Sequence, residues 1–260
     1  MLKLRAKRQG WVLAILSCLT LNIYADGGVL SGNQRITSAH LGYDLHYRVY
    51  TPVGTTAEDK LPSLYVTDGQ SYLEEGNLKS VLDTAIGSGV ISPVLVVFID
   101  SRNPDNPQED RRHSQFMCNT DYAKFFAGEL VPEIGRGRPV SQSRDDRVIL
   151  GVSFGGLNSA CFGLMLSELF SGIAMQSPAS GDHVEVVRKL YEEKEKLPLK
   201  MYISVGTVND NLRDVSRFRR TLEDKGYDLT YTKVRRGGHD WENWGPLLDE
   251  VLITFFAVMK

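Results

Sequence analysis

Three features of the 260-residue sequence predict an α/β fold with a mostly parallel central sheet and helices on both faces. Compact apolar segments rich in branched residues recur and end in Asp or Gly, as buried parallel strands do. Amphipathic segments at helical spacing separate them. No repeat, linker, low-complexity run or long insert interrupts the alternation, so one domain over 26–260 accounts for it.

The elements follow in order. "YDLHYRVYTP" (43–52) alternates its side chains and reads as an early, partly exposed strand. "LPSLYVTDG" (61–69) and "SPVLVVFID" (92–100) read as buried strands, and between them Leu73, Leu78, Val81, Leu82 and Ile86 place a helix over 72–87. "SRNPDNPQEDRRHSQ" reads as a polar loop. A helix over 121–134, a strand at 147–151 and a helix over 154–168 come next. Strands at 171–177, 200–206 and 229–235 then alternate with helices over 183–195, 212–225 and 241–257.

The N-terminus differs in kind. Lys3, Arg5, Lys7 and Arg8 precede the apolar run "WVLAILSCLTLNIYA", and the next charge is Asp26. That is the layout of a signal peptide over 1–25, cleaved after Ala25, and it implies export to a periplasm or out of the cell. The run is short of the ~20 residues that span a bilayer, so a stable membrane span in the mature chain is not expected. Lipidation at Cys18 is the minor alternative, because "ILSC" loosely resembles a lipobox. Residues 1–25 carry four basic and no acidic residues, so without them the formal charge falls from −2 to −6. Such a surface disfavours nucleic acid as a partner.

Cys118 and Cys161 remain in the mature chain, either as one disulfide or as two separate thiols. No C-x-x-C or His/Cys cluster indicates a metal site.

Loops that follow parallel strands are where such sheets hold their chemistry. In "RVILGVSFGG" (147–156), Ser153 lies between glycines where a strand turns into a helix, the setting of a nucleophile elbow. A serine hydroxyl needs a base of near-neutral pKa to become a nucleophile. Among the five histidines, His40 and His46 lie beside the first strand region, His113 in the polar loop and His183 at a helix start. His239, in "RRGGHDWENW", directly follows the last strand and is the favoured base. The carboxylate that orients it is Asp210, in "SVGTVNDN" after the strand at 200–206, with Asp214 as the competing acid. Ser, Asp, His in that order, each after a strand, is the order of the α/β-hydrolase fold.

Four motifs, "YVTDGQ" (65–70), "GVSFGG" (151–156), "VGTVND" (205–210) and "GGHDWENW" (237–244), resemble the putative-esterase branch of the α/β-hydrolases, which includes enterochelin, feruloyl and acetyl-xylan esterases and the esterase D group. The resemblance runs through most of 36–258 and implies a fold with no large lid, in keeping with the absence of a long insert. It implies Ser153, Asp210 and His239 as the triad, with backbone N–H groups of Phe154 and Gln70 as the oxyanion hole. The segment "EDRRHSQFMCNTDYAKFFAGELVPEI" (109–134) is similar to one in which an arginine lies near the substrate, which makes Arg111 or Arg112 a substrate contact, with Trp241 a further one. "SPASGDH" (177–183) departs from the aromatics expected there in enterochelin esterases. The expectation is an exported serine carboxylic ester hydrolase without a cofactor, acting on a small-molecule ester. Siderophore trilactones come first; acylated carbohydrates, or acyl transfer through the same acyl-enzyme, are the alternatives.

Overall fold

The computed structural model describes residues 27–258. The proposed leader and Cys18 lie outside them. The chain opens with short β1 (Val29–Leu30), β2 (Gln34–Ser38) and β3 (Tyr43–Thr51), followed by β4 (Ser63–Thr67), α1 (Gly69–Glu74), α2 (Leu78–Gly87) and β5 (Leu95–Asp100). A small hairpin, β6 (Arg102–Asn103) and β7 (Asn106–Asp110), leads into α3 (Arg112–Phe116) and α4 (Thr120–Phe125). A π-helical turn at Phe126–Leu130 joins α4 to α5 (Val131–Gly135). The remainder alternates β8 (Arg147–Val152), α6 (Phe154–Met165), β9 (Gly172–Gln176), α7 (Gly181–Glu193), β10 (Lys200–Gly206), α8 (Leu212–Asp224) and β11 (Asp228–Val234), and closes with α9 (Trp241–Trp244) and α10 (Leu248–Phe256).

The main sheet runs β1-β3-β5-β4-β8-β9-β10-β11, with β2 beside β3. From β5 to β11 every neighbour is parallel; β3 is antiparallel to β5 and to β1 and β2. The fully buried strands β4, β8 and β9 hold the middle, as their unbroken apolar runs require. One core layer packs α4 to α8 on one face around Phe126, Phe162, Tyr191 and Phe218. The other packs α2 and α10 around Leu78, Leu82, Leu248 and Leu252.

Three expectations are corrected. The helix over 72–87 is two, because Asn77 takes a left-handed conformation (φ 50°) and turns the chain between α1 and α2. The closing helix breaks at Gly245–Leu247, where Pro246 starts a 3₁₀ turn. The polar loop holds β6 and β7: Arg102 pairs with Asp110 although every residue of β7 is exposed. No apolar alternation marks such a hairpin.

After β4 the chain moves to β5 on one side, then returns to β8 on the other. The ends of β4 and β8 therefore flank a topological switch point, where a crevice opens beyond the carboxyl ends of the strands.

Candidate active site

Ser153 caps α6 with φ 57° and ψ −121°, a conformation that a side chain adopts only when its surroundings enforce it. The enforcement is local. A Cβ on Gly151 would fall within 2.1 Å of the Gly155 carbonyl oxygen, so the strand and helix can close this tightly only without one. The Ser153 N–H donates to the Gln176 carbonyl at 2.9 Å, which anchors the turn to β9.

The structure brings Ser153, His239 and Asp210 together from three strand ends. His239 Nε2 lies 2.9 Å from Ser153 Oγ, and His239 Nδ1 lies 2.9 Å from Asp210 Oδ1. Asp210, whose side chain is fully enclosed, accepts three more hydrogen bonds: Ser177 Oγ–H (2.6 Å) and Gly206 N–H (2.7 Å) on Oδ2, and Asn211 N–H (2.7 Å) on Oδ1. Burial pushes its carboxyl up, but the four donors together outweigh it and hold the group below its ordinary value. The Trp244 ring meets the His239 ring edge to face, 4.9 Å between centroids. The competing acid, Asp214, sits in the first turn of α8 and faces Arg217 at 3.6 Å.

Beside Ser153 lies a cleft of about 500 Å³ lined by Asp68, Gln70, Glu74, Glu75, Arg102, Asp110, Arg112, His239, Trp241 and Trp244, among others. Phe154 is the first residue of α6 and Gln70 the second of α1, so the helices have no use for either backbone N–H. A Cβ on Gly69 would fall 2.6 Å from the Phe98 backbone, so this position, next to Gln70, tolerates no side chain.

Arg112 reaches the cleft, but its Nε–H donates to Oδ2 of buried Asp68 at 3.0 Å, and the same nitrogen forms an ion pair with Oδ1 at 2.9 Å. Burial pushes the Asp68 carboxyl up to about 6, an effect that Arg112 only partly offsets. Arg111 is turned elsewhere: its guanidinium stacks on Tyr43 (4.2 Å) and donates to Glu109 and to the Asp44 carbonyl, and it is not among the cleft-lining residues. Trp241 lines the cleft and packs edge to face on Tyr72 (5.0 Å) and Trp244 (5.5 Å). Sequence reasoning missed Ser177, Gln176 and Tyr72, buried polar residues behind the site. Their only signal was polar residues at the end of an apolar strand and helix. Cys118 and Cys161 form a disulfide that ties the segment after α3 to α6.

Among the described residues no group of three or more His, Cys, Asp or Glu is placed to hold a metal ion, and no helix is long and apolar enough to cross a membrane.

Sheet order and a serine on a tight turn between β8 and α6 give the chain the α/β-hydrolase type of fold. Residues 38–255 match the model of the "Putative esterase" family, so the chain belongs to that family of carboxylic ester hydrolases. It is 29% identical to the iron(III) enterobactin esterase of Dickeya dadantii over 207 residues, 72% of this chain and 46% of that protein. The enterobactin esterase of Shigella flexneri superposes with a TM-score of 0.75 at 21% identity, covering 86% of this chain and 58% of that one. A ferulic acid esterase superposes with a TM-score of 0.70 at 20% identity, covering 89% and 99%. The chain thus spans about half the length of the enterobactin esterases it matches.

Proposed function

We propose that the protein is an exported serine esterase in which Ser153 is the nucleophile, His239 the general base and acid, and Asp210 the group that orients His239. The observation that carries this reading is the unbroken Ser153–His239–Asp210 hydrogen-bond line, 2.9 Å at each step. His239 Nε2 takes the proton of Ser153 as Oγ adds to the ester carbonyl carbon. The carbonyl electron pair moves onto oxygen, which the N–H groups of Phe154 and Gln70 stabilise. Collapse expels the alcohol, which leaves with the proton from His239. Water, deprotonated by His239, then attacks the acyl-enzyme; the acid departs and Ser153 regains its proton. Arg112 and Trp241 line the cleft where the substrate would rest.

Export is supported by the leader pattern of residues 1–25 and by the Cys118–Cys161 disulfide, since such bonds persist in oxidising compartments. Siderophore ester-lactones are the first substrate class, on the likeness to proteins named as enterobactin esterases.

One observation favours a second reading, esters of neutral alcohols such as sugars. Each arginine of the cleft is already bound to a carboxylate, Arg102 to Asp100 and Arg112 to Asp68, while Glu74, Glu75 and Asp110 line the same cleft. Such a lining repels a multiply anionic ferric catecholate and suits hydroxyl groups and the face of Trp241.

The test is turnover of ferric and iron-free catecholate trilactones beside feruloyl and acetyl sugars, with candidate acceptor alcohols added. Ser153→Ala is expected to lower ester turnover by about 10⁴-fold or more; a folded, fully active variant would sink the triad. Failure on every trilactone would remove the first substrate class. Ester products outweighing free acid would replace hydrolysis by acyl transfer.

A further inference from the structure

A buried line of hydrogen bonds lies behind Asp210. Tyr72 Oη–H donates to Gln176 Oε1 (3.0 Å), and Gln176 Nε2–H donates to the Trp244 carbonyl (2.9 Å). From its other end, the Trp244 indole Nε1–H donates to Ser177 Oγ (2.9 Å), whose own proton goes to Asp210 Oδ2 (2.6 Å). Tyr72, Gln176 and Ser177 are fully buried and Trp244 nearly so. Burial pushes the Tyr72 phenol well above its ordinary value, so it stays protonated and remains a donor.

Hydrogen-bond chemistry assigns a direction to this line. An indole N–H can only donate, so it occupies a lone pair of Ser177 Oγ and leaves the hydroxyl proton one polar destination, the carboxylate. Every other partner of Asp210 is also a donor: His239 Nδ1–H, Gly206 N–H and Asn211 N–H. The Trp244 ring also packs on His239, so one side chain constrains the base directly and the acid through Ser177. Ser177 directly follows Gln176, whose carbonyl holds the Ser153 N–H. The end of β9 thus grips the nucleophile by its backbone and the acid by a side chain.

We infer that Ser177, locked as a donor by Trp244, is a positioning residue that fixes Asp210 against His239. This inference rests on the Ser153–His239–Asp210 reading. Ser177 is not among the residues lining the cleft, so it acts through Asp210 and not on substrate. Its hydroxyl shares the negative charge of the carboxylate. Without it the carboxylate is free to turn away from Nδ1, and the imidazolium that forms when His239 takes the Ser153 proton loses its support. His239 Nδ1 faces Asp210 and Nε2 faces Ser153; the charged groups that share its cleft are Asp68, Glu74, Glu75, Asp110, Arg102 and Arg112, with Asp240 next in the chain. The substitution alters none of these.

The experiment is the pH profile of kcat and kcat/KM for the intact protein on p-nitrophenyl acetate, in Ser177→Ala and Trp244→Phe. Circular dichroism checks the fold of each. Ser177→Ala is expected to lower kcat roughly 10- to 100-fold, as for a hydrogen bond to a charged group, with KM within about twofold. Its acid limb is expected to move down by about half a pH unit or more, since a carboxylate no longer held against Nδ1 favours the imidazolium less. Trp244→Phe frees the Ser177 hydroxyl to rotate, and a smaller shift in the same direction is expected; this arm stands even where Ser177→Ala does not fold. A folded Ser177→Ala with unchanged kcat, or with lowered kcat and an acid limb at the wild-type pH, overturns the inference, as does an unmoved limb in Trp244→Phe. Ser153→Ala run alongside separates the two failures: if it is active, the triad itself falls; if it is inactive, only the role of Ser177 does.

Discussion

Two enclosed aspartates serve the same cleft from different strand ends, and their surroundings drive them in opposite directions. Asp68 follows β4, meets one arginine and is pushed up to about 6 by burial. Asp210 follows β10, has an inaccessible side chain, meets four donors and is held below its ordinary value. Burial penalises the charge in both, more heavily at Asp68, and at Asp210 the donors aimed at the carboxylate outweigh it. The role proposed for Asp210, stabilising an imidazolium, requires an ionised acid, and the donors around it favour that form.

The largest expected effect tests the assignment of the acid. Asp210→Asn, whose amide presents the wrong partner to His239 Nδ1, is expected to lower kcat roughly 10³- to 10⁴-fold. Asp214→Asn, on a residue that faces Arg217 and not His239, is expected to stay within about twofold. The reverse result in steady-state kinetics would move the acid to α8.

Next comes the disulfide that ties the Arg112 segment to α6. Its partners are 43 residues apart, and removing both sulfurs in a Cys118→Ser, Cys161→Ser double variant is expected to cost about 4 kcal/mol by loop-closure entropy. Urea unfolding measures this, and a loss below about 1 kcal/mol would show that packing alone holds the segment.

The third prediction opposes the two aspartates through pH. The value of Asp68, about 6, lies above the ordinary 3.8, so the folded state holds a proton that the unfolded chain has released. That contribution to stability is complete below 3.8 and is lost as pH rises through about 6. The contribution of Asp210 has the other sign: present above 3.8, it is lost only as pH falls through its lowered value. Between about pH 4 and pH 6 the stability slope should therefore come from Asp68, up to about 3 kcal/mol in total. Asp68→Asn is expected to flatten that slope in urea melts taken across the window. An unchanged slope would mean that Arg112 fully offsets the burial.

Reading the sequence worked best where one local property dominates. β4, β5, β8 and β9 were legible because strands buried on both faces must be apolar throughout. Ser153 was legible because a tight strand-to-helix turn needs small neighbours. The break at Asn77 was not, because the apolar spacing of α1 and α2 continues across it while the backbone turns. Arg111 and Arg112 are adjacent and alike in sequence. Only the packed structure sends one to Tyr43 and the other to Asp68.

By itself the sequence determined the alternation of the main strands and helices from β3 onward, the serine turn, and a candidate acid and base in loops that follow strands. These are matters of local pattern, apolar period and backbone sterics, which short windows carry. Tertiary structure alone decided that Asp210 rather than Asp214 meets His239, that the two cysteines pair, and that Ser177 and Trp244 stand behind the acid. Trp244 and Ser177 are 67 residues apart and Ser177 and Asp210 are 33 apart. A hydrogen bond between side chains so distant in the chain depends on the neighbour order of β8, β9 and β10 in the sheet. No short stretch of sequence contains that order.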